Sequence, residues 1–236
     1  MISGQIKVSH CQSHSSVIVS KPWGYEYLVY ENEHVAVWLL CIRSGEQTSM
    51  HCHPKKTTGL VLLTGTAELS LLDEKKILSG PEKQVLRRGL FHSTKAISNE
   101  PIILLEIESP NDKQDLLRLS DIYGRADKSY EGSEDEVPKP SDVIWISDVK
   151  NGDQNLHTVG PVELKIECIS SMNSIMRKAD NDIVIFLRGG IGKIVNGVTL
   201  LSNVSGDVEN ASILKKIANE MNFIQDDTLL LTVGPK

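Results

Sequence analysis

The stretch GEQTSMHCHPKKTTGLVLLTG, residues 45–65, decides how this chain is read. It opens on a glycine, sets His51 and His53 one residue apart, and then runs into a solid apolar segment closed by Gly65. Alternate residues of a β-strand project to the same face, so the two imidazoles point together while Cys52 points away. Two such rings can reach one ion. In a β-rich chain the third ligand arrives from a strand distant in sequence, and His92 in LRRGLFHSTKA is the candidate. The metal-free alternatives are an exposed His-x-His at a strand end and a His92 that hydrogen-bonds a carbonyl in a turn.

Outward from this stretch, Ser16 to Glu108 holds short segments rich in valine, isoleucine, leucine and aromatics, broken at Gly45, Gly65, Gly80 and Gly89. YEYLVY, HVAVWLLCI, TTGLVLLTG, TAELSLL, KQVLRR and PIILLEIE read as strands, with the polar turns DEKK and SNE between two pairs of them. Strands at this pitch predict an all-β sandwich or barrel. Asp112 to Ile122 has apolar residues at Leu116, Leu117, Leu119 and Ile122, a spacing that predicts a short helix. Ser129 to Pro140 is acidic, carries two prolines and reads as linker.

The remainder echoes the first half. LLCIRSGEQTSM from Leu39 parallels KIECISSMNSIM from Lys165, and LVLLTGTAEL from Leu60 parallels IVIFLRGGIGKI from Ile183. A duplicated unit leaves such an order of similar segments. The second copy lacks the histidine pair, and Ala211 to Met221 has a helical period where a hairpin is expected. The organisation expected is a barrel over 1–126, a linker over 127–141 and a degenerate second barrel over 142–236.

Composition narrows the function. A chain of 236 residues, 40% hydrophobic, buries a sizeable core. Its longest apolar run, Val35 to Ile42, is far short of the ~20 residues that span a bilayer, and the amino terminus has no secretory apolar region. A cytoplasmic protein without a membrane partner is expected. Cys11, Cys41, Cys52 and Cys168 form no CxxC pair, so reduced thiols are the default. Net charge is −6 and the lysines and arginines are scattered, which argues against nucleic acid.

The arrangement Gly45, five residues, His51-Cys52-His53, four residues, Thr58, six residues, Gly65 resembles the first cupin motif, and Arg87 to His92 resembles the second. The resemblance implies a double-stranded β-helix, or jelly-roll barrel, with a divalent metal held inside by the histidines and a glutamate. Thr58 stands where that glutamate belongs. KPWGYE (residues 21–26), LLTGTAEL (62–69) and PIILLEIESPNDKQDLLRLSDIYGR (101–125) are similar to the type II mannose-6-phosphate isomerase domain, over residues 17–125. Against that family's metal loop, His51 falls on a glutamine, His53 on a histidine, Lys56 on an arginine and Thr58 on the glutamate.

What the resemblance implies chemically is aldose–ketose isomerisation of a sugar phosphate through a cis-enediolate, with a base moving a proton between adjacent carbons. The metal is zinc first, with iron, manganese and nickel also suited to three imidazoles. Glu106 and Glu108 alternate and so share a face. Glu106, at the family position, is the first choice as base or as replacement ligand, and an outward-facing position is favoured for Glu108. Lys56 joins Glu106 as a catalytic candidate. Lys55, Lys56, Arg87, Arg88 and Arg125 are cations available to a phosphate, with Arg87 and Arg125 chosen as substrate contacts. Lys21 and Trp23 are assigned first to the fold, the indole packing on the barrel. The alternatives are a non-catalytic carbohydrate-binding or regulatory bicupin and an iron-dependent dioxygenase. The resemblance also implies a homodimer, since cupins often dimerise by exchanging or abutting edge strands, which covers exposed sheet edges.

Overall fold

Apolar alternation becomes strand throughout the part of the chain that the computed structural model describes, residues 18–124, 138, 143–150 and 152–236. The first half supplies β1 (Ile18–Lys21), β2 (Gly24–Glu31), β3 (Ala36–Ile42), β4 (Met50–Cys52), β5 (Thr57–Thr64), β6 (Thr66–Ser70), β7 (Lys75–Ser79), β8 (Glu82–Leu86), β9 (Ser93–Ala96), β10 (Ile102–Ser109) and β11 (Leu117–Ser120). An antiparallel sheet in the order β1-β2-β3-β10-β5-β8 faces the sheet β7-β6-β9 and the pair β11-β4. Between them lies an apolar interior that includes Trp23, Leu28, Trp38, Leu40, Leu62, Leu69, Leu78 and Leu104. This is a double-stranded β-helix.

The second half repeats the plan. It contains β12 (Gln154–Val159), β13 (Val162–Ile169), α1 (Met172–Met176), β14 (Ile183–Arg188), β15 (Gly190–Val195), β16 (Val198–Val204), β17 (Val208–Asn210), α2 (Ala211–Asn219), β18 (Phe223–Ile224) and β19 (Thr228–Pro235). The order β12-β13-β19-β14-β17 matches β2-β3-β10-β5-β8, and β16-β15-β18 matches β7-β6-β9. Helix α1 follows β13 where β4 should appear, so no strand carries a histidine pair. Ile175 from α1 and Ala211, Leu214 and Ala218 from α2 fill this barrel with Phe186 and Leu230. The amphipathic spacing of ASILKKIANEM forms the helix its period predicts.

A third apolar cluster joins the two barrels back to back. Val37, Leu39, Val61, Leu63, Leu105 and Ile107 on the outer face of the first sheet pack with Leu164, Ile166, Ile185, Leu187, Leu231 and Val233 on the second. Every strand of this seam is two-faced: Leu105 and Ile107 belong to the seam, while Leu104 belongs to the interior. That explains why PIILLEIE and TTGLVLLTG read as unbroken apolar runs. The seam occupies the broad outer face of the first sheet within one chain, leaving other surfaces for any homodimer.

The helix predicted over Asp112 to Ile122 is not formed. Residues 117–120 are strand β11, pairing with β4 through Leu117↔Cys52 and Arg118↔His51. Leu117, Leu119 and Ile122 are exposed, so the helical period served no burial. The strand instead covers the open edge of the histidine-bearing β4. The linker expected over 127–141 lies, apart from residue 138, outside the described residues.

Gly24, between β1 and β2, has φ +148°, and a Cβ there would lie 1.9 Å from the Cys41 carbonyl oxygen. Gly24→Ala is therefore expected to destabilise the protein by about 2–4 kcal/mol. Chemical denaturation measures this, and an unchanged midpoint would refute the close approach.

Candidate metal centre

His51 is set by β4, His53 follows it directly, and His92 lies immediately before β9. His51 and His92 are cross-strand partners: His51 N–H donates to the His92 carbonyl at 3.0 Å and His92 N–H to the His51 carbonyl at 2.8 Å. Their ring centroids are 4.4 Å apart, with His53 at 5.2 Å from His51 and 5.8 Å from His92.

Each ring is held from behind by the backbone. Nδ1 of His51 donates to the Ser49 carbonyl (2.8 Å), Nδ1 of His53 to the Asp115 carbonyl (2.6 Å) and Nδ1 of His92 to the Leu90 carbonyl (3.0 Å). A carbonyl only accepts, so this network assigns the proton to Nδ1 and leaves the Nε2 lone pair facing inward. Nε2 of His53 and of His92 is buried without a hydrogen-bond partner. Fixing Nδ1–H to a carbonyl and freeing Nε2 is how proteins orient metal-ligating histidines.

The anionic member comes from β10. Ligand atoms of His51, His53, His92 and Glu106 all lie within 4.8 Å of one another, the one such grouping among the described residues. Glu106 Oε1 is 3.7 Å from His53 Nε2. Thr58 is buried opposite Glu108 across β5 and β10, and its hydroxyl has no hydrogen-bond partner. Glu106, one inward position along β10 from Glu108, is thus the carboxylate that groups with the three histidines, while position 58 offers only a hydroxyl.

Glu108 points inward, contrary to the outward reading, and is 6% exposed. Lys56 Nζ lies 2.7 Å from its Oε1, and His53 Nε2 3.6 Å from the same oxygen. The Asp115 carboxylate fixes the loop that carries Lys56, accepting from the backbone N–H of Lys55 (2.8 Å) and Lys56 (2.9 Å).

These groups open into a cavity of about 90 Å³, also lined by Lys21, Trp23, Glu26, Trp38, Lys113 and Arg118. Lys113 Nζ sits 4.2 Å above the Trp38 ring, and Arg118 Nε donates to Ser49 Oγ at 3.2 Å. Arg87 is exposed and does not line this cavity, and Lys55 and Arg88 are exposed as well. Strand β8 ends at Leu86, which leaves both arginines on the outside of a turn. Arg125 lies outside the described residues.

Sequence reasoning missed the lining role of KPWGYE. Glu26 alternates with Leu28, whose side chain is in the barrel interior, and that pairing was the available signal. Lys113 and Arg118 were hidden inside the helix that did not form.

Burial, reinforced by His92, drives the His51 pKa down to about 3, and burial also lowers that of His92. Both imidazoles are held neutral at neutral pH. For His53 burial pulls down, but the Glu106 carboxylate outweighs it and the net shift is upward. Glu106 itself falls to about 2, the imidazoles, His53 foremost, overriding its burial. Burial followed by the Glu106 charge raises Glu108.

The second barrel meets the same position differently. Thr232 sits between Lys165 and Val184 in its sheet, as Glu106 sits between Trp38 and Leu60 in the first. The Lys178 ammonium donates to Thr232 Oγ1 at 2.7 Å and pairs with Glu167. This barrel fills its polar end with a cation of its own.

The family model for the mannose-6-phosphate isomerase C-terminal domain matches residues 7–121. Among curated relatives, the xanthan biosynthesis protein XanB of Xanthomonas campestris pv. campestris is 26% identical over 109 residues, 45% of this chain and 23% of that protein. The mannose-1-phosphate guanylyltransferase ManC of Salmonella typhimurium is 28% identical over 109 residues, with the same coverages. The chain thus spans under a quarter of these relatives' length. Similar solved structures include KdgF from Halomonas sp. (18% identity, TM-score 0.37, 39% of this chain and 84% of that one). A double-stranded β-helix protein from Klebsiella pneumoniae has 18% identity and a TM-score of 0.38, covering 41% of this chain and 84% of its own. The amino-terminal barrel of this chain is thus a double-stranded β-helix similar in sequence to the mannose-6-phosphate isomerase C-terminal domain.

Proposed function

We infer that the first barrel holds a divalent metal on His51, His53, His92 and Glu106 and uses it to interconvert an aldose and a ketose sugar phosphate. The observation that carries this reading is the set of three imidazoles whose Nδ1 atoms are tied to backbone carbonyls, two of them with buried, unpartnered Nε2 atoms. Three nitrogens and one carboxylate suit zinc, and also iron, manganese or nickel. Bound there, such an ion would polarise a sugar carbonyl and its neighbouring hydroxyl.

The chain's own residues do the rest. Lys56, anchored by Glu108, presents a positive charge beside the cluster for an oxygen that gains negative charge. Lys21, Lys113 and Arg118 line the cavity and supply the cationic surface that a phosphate requires, the part assigned from sequence to Arg87 and Arg125. Trp23 and Trp38 offer apolar faces to a sugar ring. The reading places the protein in the cytoplasm, where the free cysteines Cys41, Cys52 and Cys168 remain reduced.

Elemental analysis of the purified protein, followed by a coupled assay of mannose 6-phosphate against fructose 6-phosphate with and without chelator, tests it. Stoichiometric metal and chelator-sensitive turnover are expected. Turnover that ignores chelation, or none with metal bound, would remove the isomerase assignment.

A further inference from the structure

Three carboxylates line the pocket, and the geometry engages two of them fully: Glu26, Glu106 and Glu108 are the set, and only Glu26 is left to act. Glu106 has an oxygen within 4.8 Å of all three histidine ligand atoms. Glu108 accepts a direct hydrogen bond from the Lys56 ammonium at 2.7 Å, which taking up a proton there would disrupt along with the charge pair. Glu26 stands differently. It lies on β2, inward-facing with Leu28, and is paired across the sheet with Leu40 on β3. Lys21, a diagonal neighbour on β1, places its ammonium 3.6 Å from Glu26 Oε1, close enough to attract and too far for a direct hydrogen bond.

We propose that Glu26 is the proton-transfer carboxyl of this pocket, taking the proton from the substrate carbon beside the carbonyl and returning it to the neighbouring carbon. This rests on the isomerase reading above. The Glu26 carboxylate forms a bond to that proton as the C–H bond breaks. The C–H electron pair becomes the C=C of the enediolate, and the carbonyl π pair moves onto its oxygen. A proton then passes between the two sugar oxygens, the former carbonyl carbon takes its proton from the Glu26 carboxyl, and Glu26 ends ionised as it began.

The electrostatic setting suits that cycle. Burial lifts Glu26 to about 7 against the pull of Lys21, and the charges that face it are Lys21, then Glu106 and Glu108 on β10 and Lys113 from the following loop. A carboxyl balanced near the working pH exchanges protons most effectively. Lys21 acts as a positioning residue that keeps the ionised form accessible.

The test compares wild type with Glu26→Gln, each as full-length protein loaded with zinc or manganese. With mannose 6-phosphate, E26Q is expected to lose about 10²–10⁴-fold in kcat with KM and metal stoichiometry little changed. In parallel, carbon-13 spectra of the metal-free, glutamate-labelled protein should show a carboxyl titrating near neutrality in wild type and absent from E26Q. Retained kcat in E26Q, or a neutral-range titration that persists in it, overturns the proposal. If metal-loaded wild type does not interconvert the sugars, the isomerase reading falls and this proposal with it, whereas turnover retained in both wild type and E26Q overturns this proposal alone. Should E26Q fail to fold, Glu26→Asp carries the same comparison, with a displaced titration and a smaller loss of kcat.

Discussion

Alanine at position 53 is expected to strip the protein of bound metal while leaving the barrel folded. His53 contributes an Nε2 that is buried and unpartnered and a ring fixed by the Asp115 carbonyl. Removing even an outer-shell partner of a metal-bound histidine weakens binding about 10–100-fold, and deleting the ligand itself exceeds that range. The apolar interior does not include His53, so secondary structure should be retained. Elemental analysis after dialysis and calorimetric metal titration are the measurements. Metal content equal to wild type in a folded His53→Ala variant would dissolve the proposed centre.

The second large effect belongs to the other barrel. Lys178→Met is expected to destabilise the protein by about 3 kcal/mol, because it removes the buried cation that pairs with the half-buried Glu167 and donates to Thr232. The Lys165 ammonium, 3.3 Å from the other Glu167 oxygen, keeps the loss at the low end of that class. Burial already lowers the Lys178 pKa, and Glu167 holds its charge in place against that pressure. Replacing both partners, Lys178→Met with Glu167→Leu, should recover most of the loss, as apolar isosteres of buried ion pairs do. Denaturant unfolding reads this directly. A single variant as stable as wild type would mean that the pair is not desolvated.

Strand content and the histidine convergence were legible because both depend on local periodicity: His51 and His53 share a face by strand geometry alone, and His92 meets them through the cross-strand pair with His51. Glu106 was legible as a candidate because the family resemblance singled it out from Glu108, with which it shares a face. The direction of Glu108 was not. Which face of β10 looks inward is set by the seam, where Leu105 and Ile107 are claimed by the second barrel, and no single strand records that. Asp112 to Ile122 misled because its leucines carry a helical spacing without a surface to bury against, while β4 offered unpaired backbone that a strand could satisfy. Arg87 and Arg88 sit beside a motif but just past the end of β8, and sequence adjacency to His92 gave no measure of orientation. KPWGYE read as scaffold because its charged residues are separated by a turn that folds Lys21 back towards Glu26.

Strand β10 carries the carboxylates of the candidate site and the joint between the barrels on alternate residues. Glu106 and Glu108 face the histidines and Lys56, while Leu105 and Ile107, each 0% exposed, press against the other half of the molecule. A rigid pleat does not let one side shift without the other. A change at the joint would therefore be felt at the candidate metal cluster: trimming Leu105, the chain neighbour of Glu106, should weaken binding of the proposed ion. The second barrel thus serves as a splint, its close packing holding the two carboxylates of β10 in place.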